Sequence, residues 1–493
     1  MISPPSSPPG PPAAPGLRHR VLVALSLLLL MLYPHSGALG LASAPLLLLC
    51  LWAFVAIGTT LHAPSPPQTF DGDRERRLLR GLALLLALLQ LVRAPGDALQ
   101  AGTSWLPHSL LALLLAGIAS VATQPRQPRL NSRALAVLAV LATAVVFGYL
   151  LRHAPSPRID VFQIQQRGAE LLAAGANPYS ALYPNPYDPV ETTAFFGHYS
   201  ASLDHYPYPP LSLLLTTLLH RLTHDVRWLF LLLHLLIACV LYRLGRRWQQ
   251  RRAERFDLGL VLLCIHLLHP RGFLVIEQAW TEPLLAAAIA LWADFRARHS
   301  QAPQPPSPAG VSRCLVADSL LLGVALACKQ YGLLLLAPYL SRSLFAWLSP
   351  TWLHARRRLS LGISLLPLAI GYLLFAAWQP ADFVEDVVLF QLKQPFRSEA
   401  LSLPALLYAL SDIKLPGAIA AVGLLLPPLW LGRGRPPRLP AGLGGQLLLF
   451  SLMLFGFFVT AKQAFCNYYY LVGVLLLLTL TQLDEEPAGD ERS

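Results

Sequence analysis

Apolar runs of about twenty residues recur from one end of this chain to the other, and they restrict its fold more than any other feature. A helix needs about 20 predominantly apolar residues to cross the roughly 30 Å of a bilayer's hydrocarbon. Candidate crossings lie at 21–38, 41–62, 78–93, 105–122, 134–151, 227–244, 257–272, 279–295, 314–328, 331–347, 359–377, 415–432, 443–460 and 467–483. Several are short and need local thinning or uncharged flanks. Leu dominates the runs and no strand-like alternation is present, which excludes a β-barrel. With 55% hydrophobic residues and a mean hydropathy of +0.50, a soluble fold would expose too much apolar surface. The expected class is an all-α polytopic membrane protein with about 13–14 transmembrane helices. The segment 209–222 is apolar but short. It reads as re-entrant or half-spanning, with a short full span as the alternative.

The net charge of +12 reflects topology, not nucleic acid. Arg18 to Arg20, Arg74 to Arg80, Arg126 to Arg133, Arg246 to Arg255, Arg296 to Arg313, Arg356 to Arg358 and Arg433 to Arg438 mark cytoplasmic segments. The polar stretches 152–210, 270–282, 379–416 and 461–467 then fall outside, as does the break at Lys329. Met1 to Gly16 is Pro-rich and predicted disordered, followed by a retained signal anchor. The acidic tail from Asp484 is placed inside. The six cysteines show neither CxxC nor Cys/His spacing, so no disulfide framework or zinc site is expected.

The outer polar stretches hold the chemistry. Asp160 follows the fifth run closely. It reads as a general base at the membrane–water boundary, as a solvated loop acid, or as the partner of Arg158. Asp188, Glu191 and Asp204 share its loop, but the outer loops contain no Asp-x-Asp pair and Glu385-Asp386 is adjacent. No divalent metal or other cofactor is expected. The loop's tyrosines, with Phe195, Phe196, His198 and His205, suit sugar stacking and an interfacial aromatic belt equally. Lys329, Lys393 and Lys462 sit on the outer side against the charge rule. Together they suggest a site for an anionic lipid phosphate, though each alone fits snorkelling. Glu282 reads as a second acid, a hydrogen-bonding group or a helix N-terminal acid.

Asp160-Val161-Phe162, the stretch from Leu171 through Gly175-Ala176-Asn177-Pro178-Tyr179, and Tyr208-Pro209-Pro210-Leu211 resemble the first outer loop of GT-C fold membrane glycosyltransferases. The nearest resemblance is to glycosyltransferase family 87, the polyprenyl-phosphate-mannose-dependent mannosyltransferase group. Glu277-Gln278 with Glu282-Pro283, Gly323 to Lys329, and Lys462-Gln463 with Asn467-Tyr468-Tyr469 fit the same pattern. The pair Glu277-Gln278 departs from the Gly-Gln common in relatives, and His205 to Tyr208 has no placed counterpart. The resemblance covers roughly 133–483. It implies a GT-C-like catalytic core there, preceded by a cytoplasmic N-terminus at 1–20 and extra helices at 21–132, and followed by a tail at 484–493.

The activity implied is transfer of a hexose (mannose-like) or a pentose from a polyprenyl-phosphate-linked donor to a glycan or glycolipid acceptor, with inversion. The location implied is the periplasmic or extracellular face of a bacterial inner membrane. Asp160 takes the role of catalytic base, and Lys329, Lys393 and Lys462 the donor phosphate. Asn177, Tyr179, His205, Tyr208, Gln278, Glu282, Gln463, Asn467 and Tyr468 form the expected sugar- or acceptor-binding set. The rival class is a lipid-linked-glycan flippase or other transporter, which should place charges near the bilayer midplane and show paired broken helices. No internal repeat is visible.

Overall fold

The computed structural model describes residues 16–33, 39–40, 43–62, 72–92, 105–124, 131–252, 256–299, 308–340, 355–432 and 442–483. The expectations for residues 1–15 and for the acidic tail lie outside these. The described chain is all-helical apart from one two-residue ladder pairing Tyr183 with Leu203 and Pro184 with Ser202.

By length and composition, six described helices can cross a membrane: Ser43–Leu61, Trp105–Ala122, Ser132–His153, Arg227–Arg252, Leu359–Trp378 and Leu443–Thr460. Shorter apolar helices cover Leu258–Leu267, Ile419–Leu431 and Cys466–Leu480. The long-helix count is smaller than the number of apolar runs, partly because several described helices are short or carry charges and partly because some runs break. The run 257–272 ends its helix at Leu267, turns through His269-Pro270, and resumes as Gly272–Glu277. Pro270 disfavours helical geometry at the residue before it and offers no N–H. The run 331–347 opens as a 3-10 helix, Gln330–Leu335, followed by Leu336–Leu340. The ambiguous apolar segment forms one helix, Pro210–Thr223, closed by His224 at φ 58°. At 1.5 Å per residue its 14 residues reach about 21 Å, short of a perpendicular crossing.

The first helices share one core with the rest. Buried Val21, Leu25, Leu28, Leu79, Leu86 and Leu115 belong to the same cluster as Leu262, Phe455 and Leu475. Phe54 stacks on Phe455, and the Gln90 side-chain amide donates to the Leu268 carbonyl at 2.7 Å. Between lipid-embedded helices the hydrophobic effect adds little, so close packing has to bind them. Glycines permit that approach. A Cβ on Gly456 would stand 2.2 Å from the Gly423 carbonyl oxygen, and one on Gly245 2.6 Å from the Gly259 Cα.

The two ends of the bundle differ. At the end holding the C-terminus of Arg227–Arg252, the fully buried Asp294 carboxylate meets Arg243 at 2.6 Å, Arg247 at 2.8 Å and also Arg298. There Arg18 grips Glu75 at 2.7 Å and lies 3.9 Å over the Trp248 ring. At the opposite end, loops fold over a separate aromatic cluster that includes Tyr179, Tyr183, Tyr206, Tyr208, Phe375 and Phe383.

Candidate active site

Asp160 is the first residue of the helix Asp160–Ala173, where a negative charge is favoured by the helix dipole. Its Oδ1 accepts the Val161 N–H at 2.9 Å and the Tyr187 hydroxyl at 2.9 Å. The Tyr187 oxygen in turn accepts the Asp160 N–H at 3.2 Å. Burial, and after it the Asp160 charge, push the Tyr187 phenol above its usual range, so it remains a donor. No hydrogen bond reaches Asp160 Oδ2 among the described residues. Arg158 is not its partner: it pairs with Glu191 at 2.7 Å and donates to the Pro186 carbonyl.

The loop is held by its own chemistry. Asp188 and Glu191 form a capping box on the helix Pro189–Phe196, each side chain accepting the other's backbone N–H, and Gly197 closes the helix at φ 85°. Gly168 lets Tyr206 lie against the helix behind Asp160, since a Cβ there would fall 2.5 Å from the Tyr206 ring. The Tyr206 N–H donates to Asp386 at 2.7 Å, joining the two long loops. Burial raises the Asp386 carboxyl to about 7.

A cavity of about 500 Å³ opens beside Asp160. Five separated stretches supply its wall: the Asp160 loop, the turn 278–282, Lys329, the loop 390–399, and the segment 463–468. Of the residues singled out from sequence, it gathers Asp160, His205, Tyr208, Gln278, Glu282, Lys329, Gln463, Asn467 and Tyr468. Lys329 is buried, and its ammonium donates to the Thr281 hydroxyl at 2.7 Å and to Glu282 Oε1. The same oxygen accepts the Tyr331 hydroxyl at 2.6 Å, while Glu282 Oε2, in a fully buried side chain, has no partner among the described residues. Asn467 Oδ1 is likewise buried and without a partner among the described residues. Gln278 accepts the Trp280 indole N–H at 2.8 Å, and Gln463 donates to the Pro395 carbonyl at 2.9 Å.

Four of the singled-out residues stand apart from this cavity. Asn177 caps the turn Pro178–Ser180, and the buried Tyr179 donates to the Tyr208 carbonyl at 2.9 Å. Both shape the loop. Lys393 pairs with Glu385 at 2.5 Å in a neighbouring pocket. Lys462 donates to the carbonyls of Leu392 and Gln394, and burial lowers its pKa.

Sequence reasoning passed over Arg397, which lines the cavity. Its guanidinium sits 3.9 Å over Phe195 and 5.3 Å from Phe465, and its Nε donates to Glu399 at 2.5 Å. The triplet Arg397-Ser398-Glu399 looks like solvated surface; the only signal was its place in a long outer loop. Tyr187 was seen as one of many loop aromatics, not as the partner of Asp160.

No family model matches the chain, and no curated protein does. Among solved structures it is similar to the crystal structure of ArnT from Cupriavidus metallidurans bound to undecaprenyl phosphate. That match has 20% identity and a TM-score of 0.44, and covers 71% of this chain and 60% of that one. It is also similar to ArnT from the same organism in the apo state, with 18% identity and a TM-score of 0.40, covering 72% of this chain and 61% of that one.

Proposed function

We propose that this chain is an integral membrane glycosyltransferase of the GT-C type. In this reading it moves a hexose or pentose from a polyprenyl-phosphate donor to a glycan or lipid acceptor at the outer face, with inversion. The observation that carries the reading is one cavity holding both a carboxylate with an unbonded oxygen, Asp160, and two partly spent cations, Lys329 and Arg397.

The acceptor hydroxyl gives its proton to Asp160 Oδ2 as its oxygen attacks the anomeric carbon. The bond from that carbon to the phosphate oxygen breaks, and the electron pair leaves with the lipid phosphate. That leaving group needs charge neutralisation, not protonation, so a single carboxylate suffices for inversion. Arg397 spends Nε and one terminal nitrogen on Glu399, and a guanidinium has five N–H donors, so donors remain for a phosphate. Lys329 adds a second positive charge. Lys393 and Lys462 fit this role less well from outside the cavity.

The test is Asp160→Asn, assayed with polyprenyl-phosphate sugars in purified membranes. Expression and folding should persist while transfer falls on the order of 10²–10⁴-fold. Transfer at the parent rate would remove Asp160 as the base. Activity should also survive chelation by EDTA, because Asp188 and Glu191 are engaged in a capping box and no cluster of three His, Cys, Asp or Glu among the described residues could hold a metal ion. Activity lost on chelation and restored by magnesium would recast the site as metal-dependent.

A further inference from the structure

A second, smaller pocket of about 190 Å³ adjoins the Asp160 cavity, and Phe196, His205, Phe390 and Gln394 line both. The partition is aromatic. His205 stacks on Phe390 with ring centroids 3.8 Å apart, and Phe196 stands 5.8 Å from His205. Beyond the partition the wall is polar. Asp204 is 85% exposed there, and Glu385 and Lys393 form an ion pair at 2.5 Å. His205 is 6% exposed, and its Nε2 has no partner among the described residues. The His205 hydrogen bond holds the Asp204 carboxyl below its usual range, so it is ionised and ready to accept.

We propose that this pocket is an acceptor subsite for one sugar residue of a glycan. The sugar's apolar face lies against Phe390 and Phe196 while its hydroxyls donate to Asp204 and Glu385. Three observations point this way. The volume is below the 300–1,000 Å³ typical of drug-sized ligands, which suits a single ring. A pocket that combines an aromatic partition with two carboxylates matches a molecule with one apolar face and a rim of hydroxyl donors. The shared partition places such a sugar next to the cavity that holds Asp160, where the acceptor's reacting hydroxyl must arrive. The assignment as an acceptor subsite rests on the transferase reading; the sugar binding itself does not.

The experiment is saturation-transfer NMR on the full chain in lipid nanodiscs, with a panel of methyl hexosides as probes. The parent chain should give signals from at least one hexoside. Asp204→Asn and His205→Ala should each lower that signal at least fivefold, and Asp160→Asn should retain it. Asp204 is exposed, so its variant keeps the test sharp if His205→Ala folds poorly. The proposal is overturned by the absence of signal across the panel, or by an unchanged signal in Asp204→Asn. It is also overturned by loss of signal in Asp160→Asn alone, which would put the sugar in the larger cavity. Parent-rate transfer by Asp160→Asn would defeat the base assignment and leave the binding result standing, so the two failures are separable.

Discussion

A buried lysine opposite a buried carboxylate changes what each can be asked to do. Viewed alone in the sequence, Lys329 is a cation ending an apolar run, which suggests a charge waiting for a phosphate. In the structure it is held by Glu282, 47 residues earlier, and by Thr281. Removing one partner of such a pair leaves an uncompensated charge, at a cost of about 3–5 kcal/mol. Lys329→Met should therefore lower the thermal unfolding midpoint as well as donor use. Lys329→Met with Glu282→Gln should recover most of the midpoint but not the donor use. A single variant as stable as the parent would show that the pair is not formed. Tyr187→Phe tests the partner of Asp160 in the cavity wall. A hydrogen bond to a charged group contributes about 1.5–3 kcal/mol to folding, so its loss should lower the unfolding midpoint, and transfer should slow as Asp160 loses the group that positions it. Equal rates would mean that Tyr187 does not position Asp160. The identities of Asp160, Lys329 and Glu282 were legible because charges beside apolar runs are conspicuous. The Lys329–Glu282 pairing was not, because it joins stretches 47 residues apart; Tyr187 was lost among the aromatics of the loop it shares with Asp160, and Arg397 was hidden by its neighbouring acid.

At the scale of elements, hydropathy located the apolar runs but not their breaks. Pro270 was visible beside His269, yet whether a proline ends or only bends an apolar helix depends on what packs against it. Loop elements were less legible still. The turn Glu385–Leu389 has π-helical geometry, and its Asp386 accepts the Tyr206 N–H. Burial raises this carboxyl from 3.8 to about 7. Between those values the folded chain binds the extra proton, so stability falls as pH rises through that window. Unfolding midpoints measured at pH 5 and pH 8 should show that loss, and Asp386→Asn should flatten it while still accepting the Tyr206 N–H. An unchanged slope in the variant would assign the pH dependence to other groups. Helix contacts give a further test. Gly456→Ala forces a methyl to 2.2 Å from the Gly423 carbonyl oxygen, and overpacking of this kind costs typically about 1–3 kcal/mol. Gly362 has open space at its Cβ position, so Gly362→Ala is the matched control in the same denaturation series.

For the whole molecule, residues flanking the first helix, Leu17–Met31, contact loops that bound the cavity. The Leu39 N–H donates to the Glu399 carbonyl at 2.7 Å, and Glu399 holds Arg397 in the cavity wall. The Arg271 guanidinium donates to the carbonyls of Leu32 and Tyr33 at 2.8 and 3.0 Å. Leu32, Tyr33 and Leu39 thus brace two loops that bound the cavity. The first helix is itself fixed at its far end by Arg18, which grips Glu75, reaches the Leu480 carbonyl and lies over Trp248. Sequence showed Arg18 only as a topological charge, since nothing in its local pattern distinguishes a buried arginine from one facing the cytoplasm. Because both ends of this helix are tied, a break at Arg18 should be felt at the cavity. Arg18→Met leaves Glu75 buried and unpaired and should cost about 3–5 kcal/mol, with transfer activity falling at temperatures where the parent is still folded. Adding Glu75→Leu removes the orphaned charge and should restore much of both. Unfolding in detergent and transfer rate, measured on the same preparations across temperature, separate the possibilities. Activity that holds while the Arg18→Met midpoint falls would show that the first helices stabilise the bundle without bracing the site.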